Sequence, residues 1–155
     1  MKLAHTRIVT DDVPGLKRFY EDITGMTPAG DDRYVEFHAP ELTLAISSRR
    51  MIDLHSAGAA KPKANRSMIL DFEVEDVDAE RARIARFVCK FELEPTTQPW
   101  GNRSMLFRDP DGNLINFFST KPVATNHPDE AVSRGGEPRL DIDVALERTK
   151  KTGDR

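Results

Sequence analysis

Residues 98–118 read QPWGNRSMLFRDPDGNLINFF. Met105 and Phe107 alternate with other residues as they would on one face of a pleated strand. Asp109, Pro110, Asp111, Gly112 and Asn113 follow, and an apolar-rich run from Leu114 to Phe118 leads back. Proline fixes φ and glycine supplies a position with φ > 0, so the stretch predicts a β-hairpin. The hairpin decides the fold because an earlier part of the chain repeats it. Phe37-His38-Ala39-Pro40 stands to Phe107-Arg108-Asp109-Pro110 at an offset of 70, and Asp12-Val13 stands to Asp76-Val77 at an offset of 64. At the shorter offset His5 falls on Ile69 and Ile8 on Phe72, and the extra residues fit in the intervening loops. The chain therefore reads as two copies of one strand–helix–strand–strand–strand unit.

Working outward, residues 3–10 predict a strand. Asp12 suits an N-cap, Pro14 the first helical turn, and Leu16, Phe19, Tyr20 and Ile23 share one helical face that Gly25 ends. Residues 33–38 and 42–47 alternate as strands, and 51–56 are assigned as a further strand. Residues 57–66, AGAAKPKANR, are small, basic and proline-interrupted, and read as a linker or mobile loop. The second copy runs through a strand at 68–75, a helix from Asp76 or Asp78 to about residue 87 bearing Val77, Ile84 and Val88 on one side, and an extended stretch at 91–96. The expectation is an α+β domain over residues 1–120, with modules at about 1–56 and 67–120. Each module is too small to bury its apolar face alone, so the two should pack together.

Alternation assigns the faces. Leu42, Leu44, Ile46, Leu70, Phe72, Val74, Ile115 and Phe117 should lie under the helices. His5, Arg7, Thr43, Ala45, Ser47, Ile69, Asp71, Glu73, Asn116 and Phe118 form the opposite face. A sheet face so mixed is solvated or lines a wet pocket.

The 155 residues carry a formal net charge of −3 and no basic stripe, which argues against a nucleic-acid partner. Cys89 is the only cysteine, so neither an internal disulfide nor a cysteine-based zinc motif can form. No apolar run suits a signal peptide or a membrane span, and a cytoplasmic protein is expected. Residues 121–155 contain nine hydrophobic residues and no aromatic, so a charged extension with at most a short helix at 142–150 is expected, not a second core.

Two βαβββ units, with DDVPGLKRFYEDITGM after the first strand and RDPDGNLINFF near the end, resemble the glyoxalase / bleomycin-resistance / ring-cleaving dioxygenase superfamily, the vicinal oxygen chelate fold. The resemblance covers about residues 1–120. It implies two modules forming a cupped, barrel-like mixed sheet with helices outside. It also implies metal-ligand positions at His5, Ala45, Ile69 and Asn116. His5 is the only good ligand among them, whereas catalytic zinc and its neighbours typically take about three protein ligands. A metal would need replacements such as Glu36, His38, Asp71 or Glu73.

The stretch Gln98-Pro99-Trp100-Gly101 ahead of Arg108-Asp109-Pro110 is similar to the metal-independent bleomycin-resistance branch. That resemblance implies a homodimer, a small-molecule ligand that is aromatic or cationic, and no cofactor. Trp100 and Phe118 would supply contact area, and His5, Arg103, Asn116, Asp71 and Glu73 would orient the ligand. The alternatives are a lyase or dioxygenase-like enzyme holding zinc, nickel, manganese or iron at a site centred on His5, and an interaction module that uses the C-terminal extension.

Overall fold

The computed structural model describes residues 3–120; the expected extension at 121–155, with its short helix, lies outside the described residues. The first module runs β1 (His5–Thr10), α1 (Val13–Thr24), β2 (Ala29–Gly30), β3 (Tyr34–His38), β4 (Thr43–Ser48) and α2 (Arg49–Ser56). The second runs β5 (Ile69–Glu73), α3 (Val77–Ile84), β6 (Phe91–Thr97), β7 (Arg103–Arg108) and β8 (Leu114–Ser119). The sheet orders β1-β4-β3-β2 and β5-β8-β7-β6 are the same topology twice, which is the internal repeat realised. In each sheet the first strand pairs parallel with the last, and the other pairs are antiparallel. This is an α+β fold of two four-stranded mixed sheets that are not closed on each other.

α1 forms where its punctuation dictates. The Asp12 carboxylate accepts from Gly15 N, Pro14 sits in the first turn, and Gly25 ends the helix at φ 69°, donating its N–H to the Glu21 carbonyl. Leu16, Tyr20 and Ile23 turn inward and are buried. α3 repeats the pattern: Asp76 caps it, and Val77, Ile84 and Val88 are buried.

Two elements differ from expectation. Residues 51–56 belong to a helix, not a strand. Ser48 caps that helix by accepting from Met51 N, and Arg, Met and Leu favour a helix with no glycine or proline to stop it. The strand needed to complete the first unit is instead β2, only two residues long, pairing with Val35 and Glu36. Gly30 is required there: at φ +124° a Cβ would lie 2.1 Å from the Tyr34 carbonyl oxygen. The expectation for residues 57–66 also changes at one end. Asn65 donates to the Asn113 side chain at 3.1 Å and accepts from Met68 N, which anchors the end of the linker to the β7–β8 turn.

The helix-side faces of both sheets feed one core. Val35, Phe37 and Ile46 from the first sheet join Met105, Phe107, Ile115 and Phe117 from the second. Leu42, expected on this face, is the exception at 37% exposure, because it precedes β4. The two modules are tied on this side. Tyr20 Oη donates to Asp109 Oδ2 at 2.9 Å, and Arg83 of α3 donates to the Asp22 and Ile23 carbonyls at the end of α1. Asp109 Oδ1 accepts from Asp111 N and Asn113 N, and Oδ2 also accepts from Asn113 Nδ2. Burial raises the Asp109 carboxyl above its ordinary range, partly opposed by these donors; burial first, and then Asp109 itself, push the Tyr20 phenol well above its own. The DPDGN sequence is thus a turn, as its residues predict, and also the clasp between modules.

No helix among the described residues is long and apolar enough to cross a membrane.

Candidate functional site

With the helices gathered on one side, each sheet keeps an open face. On the first sheet it carries His5 and Arg7 of β1, Tyr34, Glu36 and His38 of β3, and Thr43, Ala45 and Ser47 of β4, as the register requires. α2 packs across part of this face, over β4 and β1, and Ala45 and Ser47 are buried.

Glu36 is the centre of the polar group. Its Oε1 accepts from Tyr34 Oη at 2.6 Å and lies 3.8 Å from His5 Nε2, while Oε2 lies 3.4 Å from His38 Nε2. The hydrogen bond to Glu36 is the largest cause raising the Tyr34 phenol above its ordinary value, followed by burial. The Arg7 guanidinium sits 5.3 Å from the centroid of the Tyr34 ring.

The open face of the second sheet carries Ile69, Asp71 and Glu73 of β5, Leu114, Asn116 and Phe118 of β8, and Ser104, Leu106 and Arg108 of β7. Asn116 Nδ2 donates to Asp71 Oδ1 at 2.7 Å, and Asn116 Oδ1 is buried without a partner. Thr120 Oγ1 donates to Glu73 Oε1 at 3.2 Å. Ile69 is 49% exposed and Phe118 half-buried, so this face offers apolar surface around a pair of oxygen acceptors.

Sequence reasoning placed His5, Asp71, Glu73, Asn116 and Phe118 on the open faces, and the structure puts them there. His5 lies on a different sheet from the other four. Trp100 stands in the β6–β7 loop, 60% exposed, with Gly101 N donating to the Gln98 carbonyl beside it. Arg103 is not on an open face. It shares the parity of Met105 and Phe107 and forms a two-pronged pair with Asp78 at the start of α3, 2.6 Å at Nη2. The Tyr34 hydroxyl on Glu36 and the α2 residues beside Arg7 went unseen in the sequence. The Tyr34–Glu36–His38 alternation was a signal for the first, whereas assigning 51–56 as a strand hid the second.

The positions that the family resemblance implies for a metal do not fit one. Ala45 is a buried methyl, Ile69 has no donor atom, and the Asn116 amide is engaged with Asp71. His5 and His38 do both come near Glu36, but each imidazole faces a different carboxylate oxygen. Among the described residues no three His, Cys, Asp or Glu side chains are grouped to hold a metal ion.

Comparison with known proteins agrees with this architecture. The model of the Glyoxalase/Bleomycin resistance protein/Dioxygenase superfamily matches residues 2–117. "Uncharacterized protein YraH" of Bacillus subtilis (strain 168) is 29% identical over 125 residues, 76% of this chain and 98% of that protein. A glyoxalase/bleomycin resistance protein/dioxygenase from Nocardioides superposes with a TM-score of 0.64 at 20% identity, covering 85% of this chain and 90% of the other. Lactoylglutathione lyase from Agrobacterium tumefaciens superposes with a TM-score of 0.60 at 22% identity, covering 76% and 92%. At these identities the two solved structures speak to the fold alone. The repeated βαβββ topology, the single core on the helix side and the family match over nearly all of both modules together show that the chain belongs to the Glyoxalase/Bleomycin resistance protein/Dioxygenase superfamily.

Proposed function

We propose that this chain is a small-molecule-binding protein of the bleomycin-resistance-like kind. It holds a planar, aromatic, donor-bearing or cationic compound without a resident metal and acts by sequestration. The observation that carries this reading is the Asn116–Asp71 pair. Asp71 is exposed and only its Oδ1 is taken, by Asn116 Nδ2, so its other oxygen can accept from a ligand N–H. Ile69, Leu106, Leu114 and Phe118 surround the pair with apolar surface for a ring, and the exposed Trp100 of the β6–β7 loop is the ring proposed to stack on the ligand.

A second copy of the chain is the proposed partner. Among the described residues no strand of one sheet pairs with a strand of the other, so each module presents half a cup. A homodimer would enclose the ligand at the open face of the second sheet.

The test is a titration with proflavine, a planar aromatic cation, followed through quenching of Trp100, the only tryptophan. Saturable quenching that weakens about ten-fold in Asp71→Asn supports the reading, since a hydrogen bond to a charged group contributes roughly 1.5–3 kcal/mol. Absence of saturable binding, or equal binding by Asp71→Asn, overturns it.

The second reading is a metal-dependent lyase or dioxygenase-like enzyme centred on His5. It draws on one observation, the placing of both that residue and His38 near Glu36. It requires bound metal that is lost in His5→Ala.

A further inference from the structure

We propose that the groove between α2 and the open face of the first sheet is a separate ligand site, built to take a carboxylate carried on a compact apolar body. The groove holds about 350 Å³, the low end of the range for small-molecule sites. Its walls are Arg7 and Tyr34 from the sheet and Met51, Ile52 and His55 from α2. None of the residues lining it is a carboxylate.

Arg7 decides the chemistry. Two arginines flanking this sheet are paired, Arg33 with Asp31 and Arg49 with Asp11, and neither lines the groove. Arg7 has no ion-pair partner among the described residues; its guanidinium lies 5.3 Å from the centroid of the Tyr34 ring and also reaches the Tyr34 hydroxyl, which leaves most of its five N–H donors for a ligand. A guanidinium held over an aromatic ring is oriented while its N–H fork remains available, and that fork matches a carboxylate with two parallel hydrogen bonds. The nearby negative charge, Glu36, does not line the groove: its oxygens take the Tyr34 hydroxyl and lie near the two imidazoles.

The opposite wall suits the rest of the ligand. Met51 and Ile52 are half-buried and apolar, and methionine adapts to irregular shapes. A single ring or a short branched chain fits the volume, and His55 adds a polar group at the far end of α2. A cation would meet Arg7 with no compensating carboxylate. The inference does not depend on the reading of the second sheet, because every residue that lines the groove belongs to the first module.

The experiment is calorimetric titration of the full chain with benzoate, and with benzamide and benzamidine as the neutral and cationic counterparts of the same shape. The expected result is benzoate binding at one site per chain, with benzamide and benzamidine much weaker. Arg7→Gln is expected to weaken benzoate at least about ten-fold, the effect of losing a charge-assisted pair. Arg50→Gln, on α2 but not among the residues lining the groove, should leave it unchanged. Met51→Glu, which adds a negative charge beside an intact Arg7, should abolish benzoate binding and tests the site even if Arg7→Gln fails to fold. No benzoate binding by the unmodified protein, benzamide binding as tightly as benzoate, or undiminished binding in a folded Arg7→Gln or Met51→Glu variant would overturn the proposal.

Discussion

Asn116 sits where an amide is useful and costly at once. Its Nδ2 holds Asp71 while its Oδ1 goes unpaired. Replacing it with leucine removes the orphan acceptor and adds apolar contact, so Asn116→Leu should leave stability within about 1 kcal/mol of the parent. It should nevertheless weaken proflavine binding, and urea unfolding beside the Trp100 titration separates the two effects. Tyr20 behaves in the opposite way. Its hydroxyl completes the donor set around a buried carboxylate, so Tyr20→Phe should cost about 1–3 kcal/mol in urea unfolding with no direct effect on either open face. The open-face residues were legible because alternation alone assigns faces. The same parity, counted back from Phe107 and Met105, puts Arg103 on the helix side.

At the scale of elements, α2 and β2 mark the limit of that reading. A two-residue strand has no period to detect, and Met-Ile-Asp-Leu suits a helix as well as an alternating strand. Only the Ser48 cap distinguishes the two, and it lies ahead of the stretch that was assigned. Ser48→Ala should therefore lower stability by about 1 kcal/mol and loosen the groove over Arg7, seen as a lower midpoint in thermal unfolding.

α3 gives the pH dependence. The Arg103 guanidinium beside Asp78 holds that carboxyl below its ordinary value of 3.8. A depressed folded-state value means that the contribution is present above the ordinary carboxylate range and is lost as pH falls through the lowered one. Arg103→Gln should thus reduce stability at neutral pH, by no more than about 1 kcal/mol because the pair is partly exposed. The gap from the parent should close as the pH drops below that range, which unfolding curves at neutral and acid pH will show.

At the scale of the whole molecule, the repeat explains the architecture and the repeat's divergence explains the chemistry. The same topology occurs twice, but position by position the open faces differ: His5 stands against Ile69, Arg7 against Asp71, Ala45 against Asn116. One face is rich in donors and the other in acceptors, and of the metal positions that the family resemblance implies only His5 carries a strong ligand. The fold was readable from two short motifs because turns and caps have few chemical solutions. The sites were less so, because they depend on which side chains α2 and the β3 strand bring together across the sheet. The proposed function needs no resident metal. Elemental mass spectrometry on the untagged full chain, before and after exposure to zinc, nickel, manganese and iron(II) followed by dialysis, decides this. Far less than one metal ion per chain is expected in both samples. Near-stoichiometric metal that disappears in His5→Ala would contradict it.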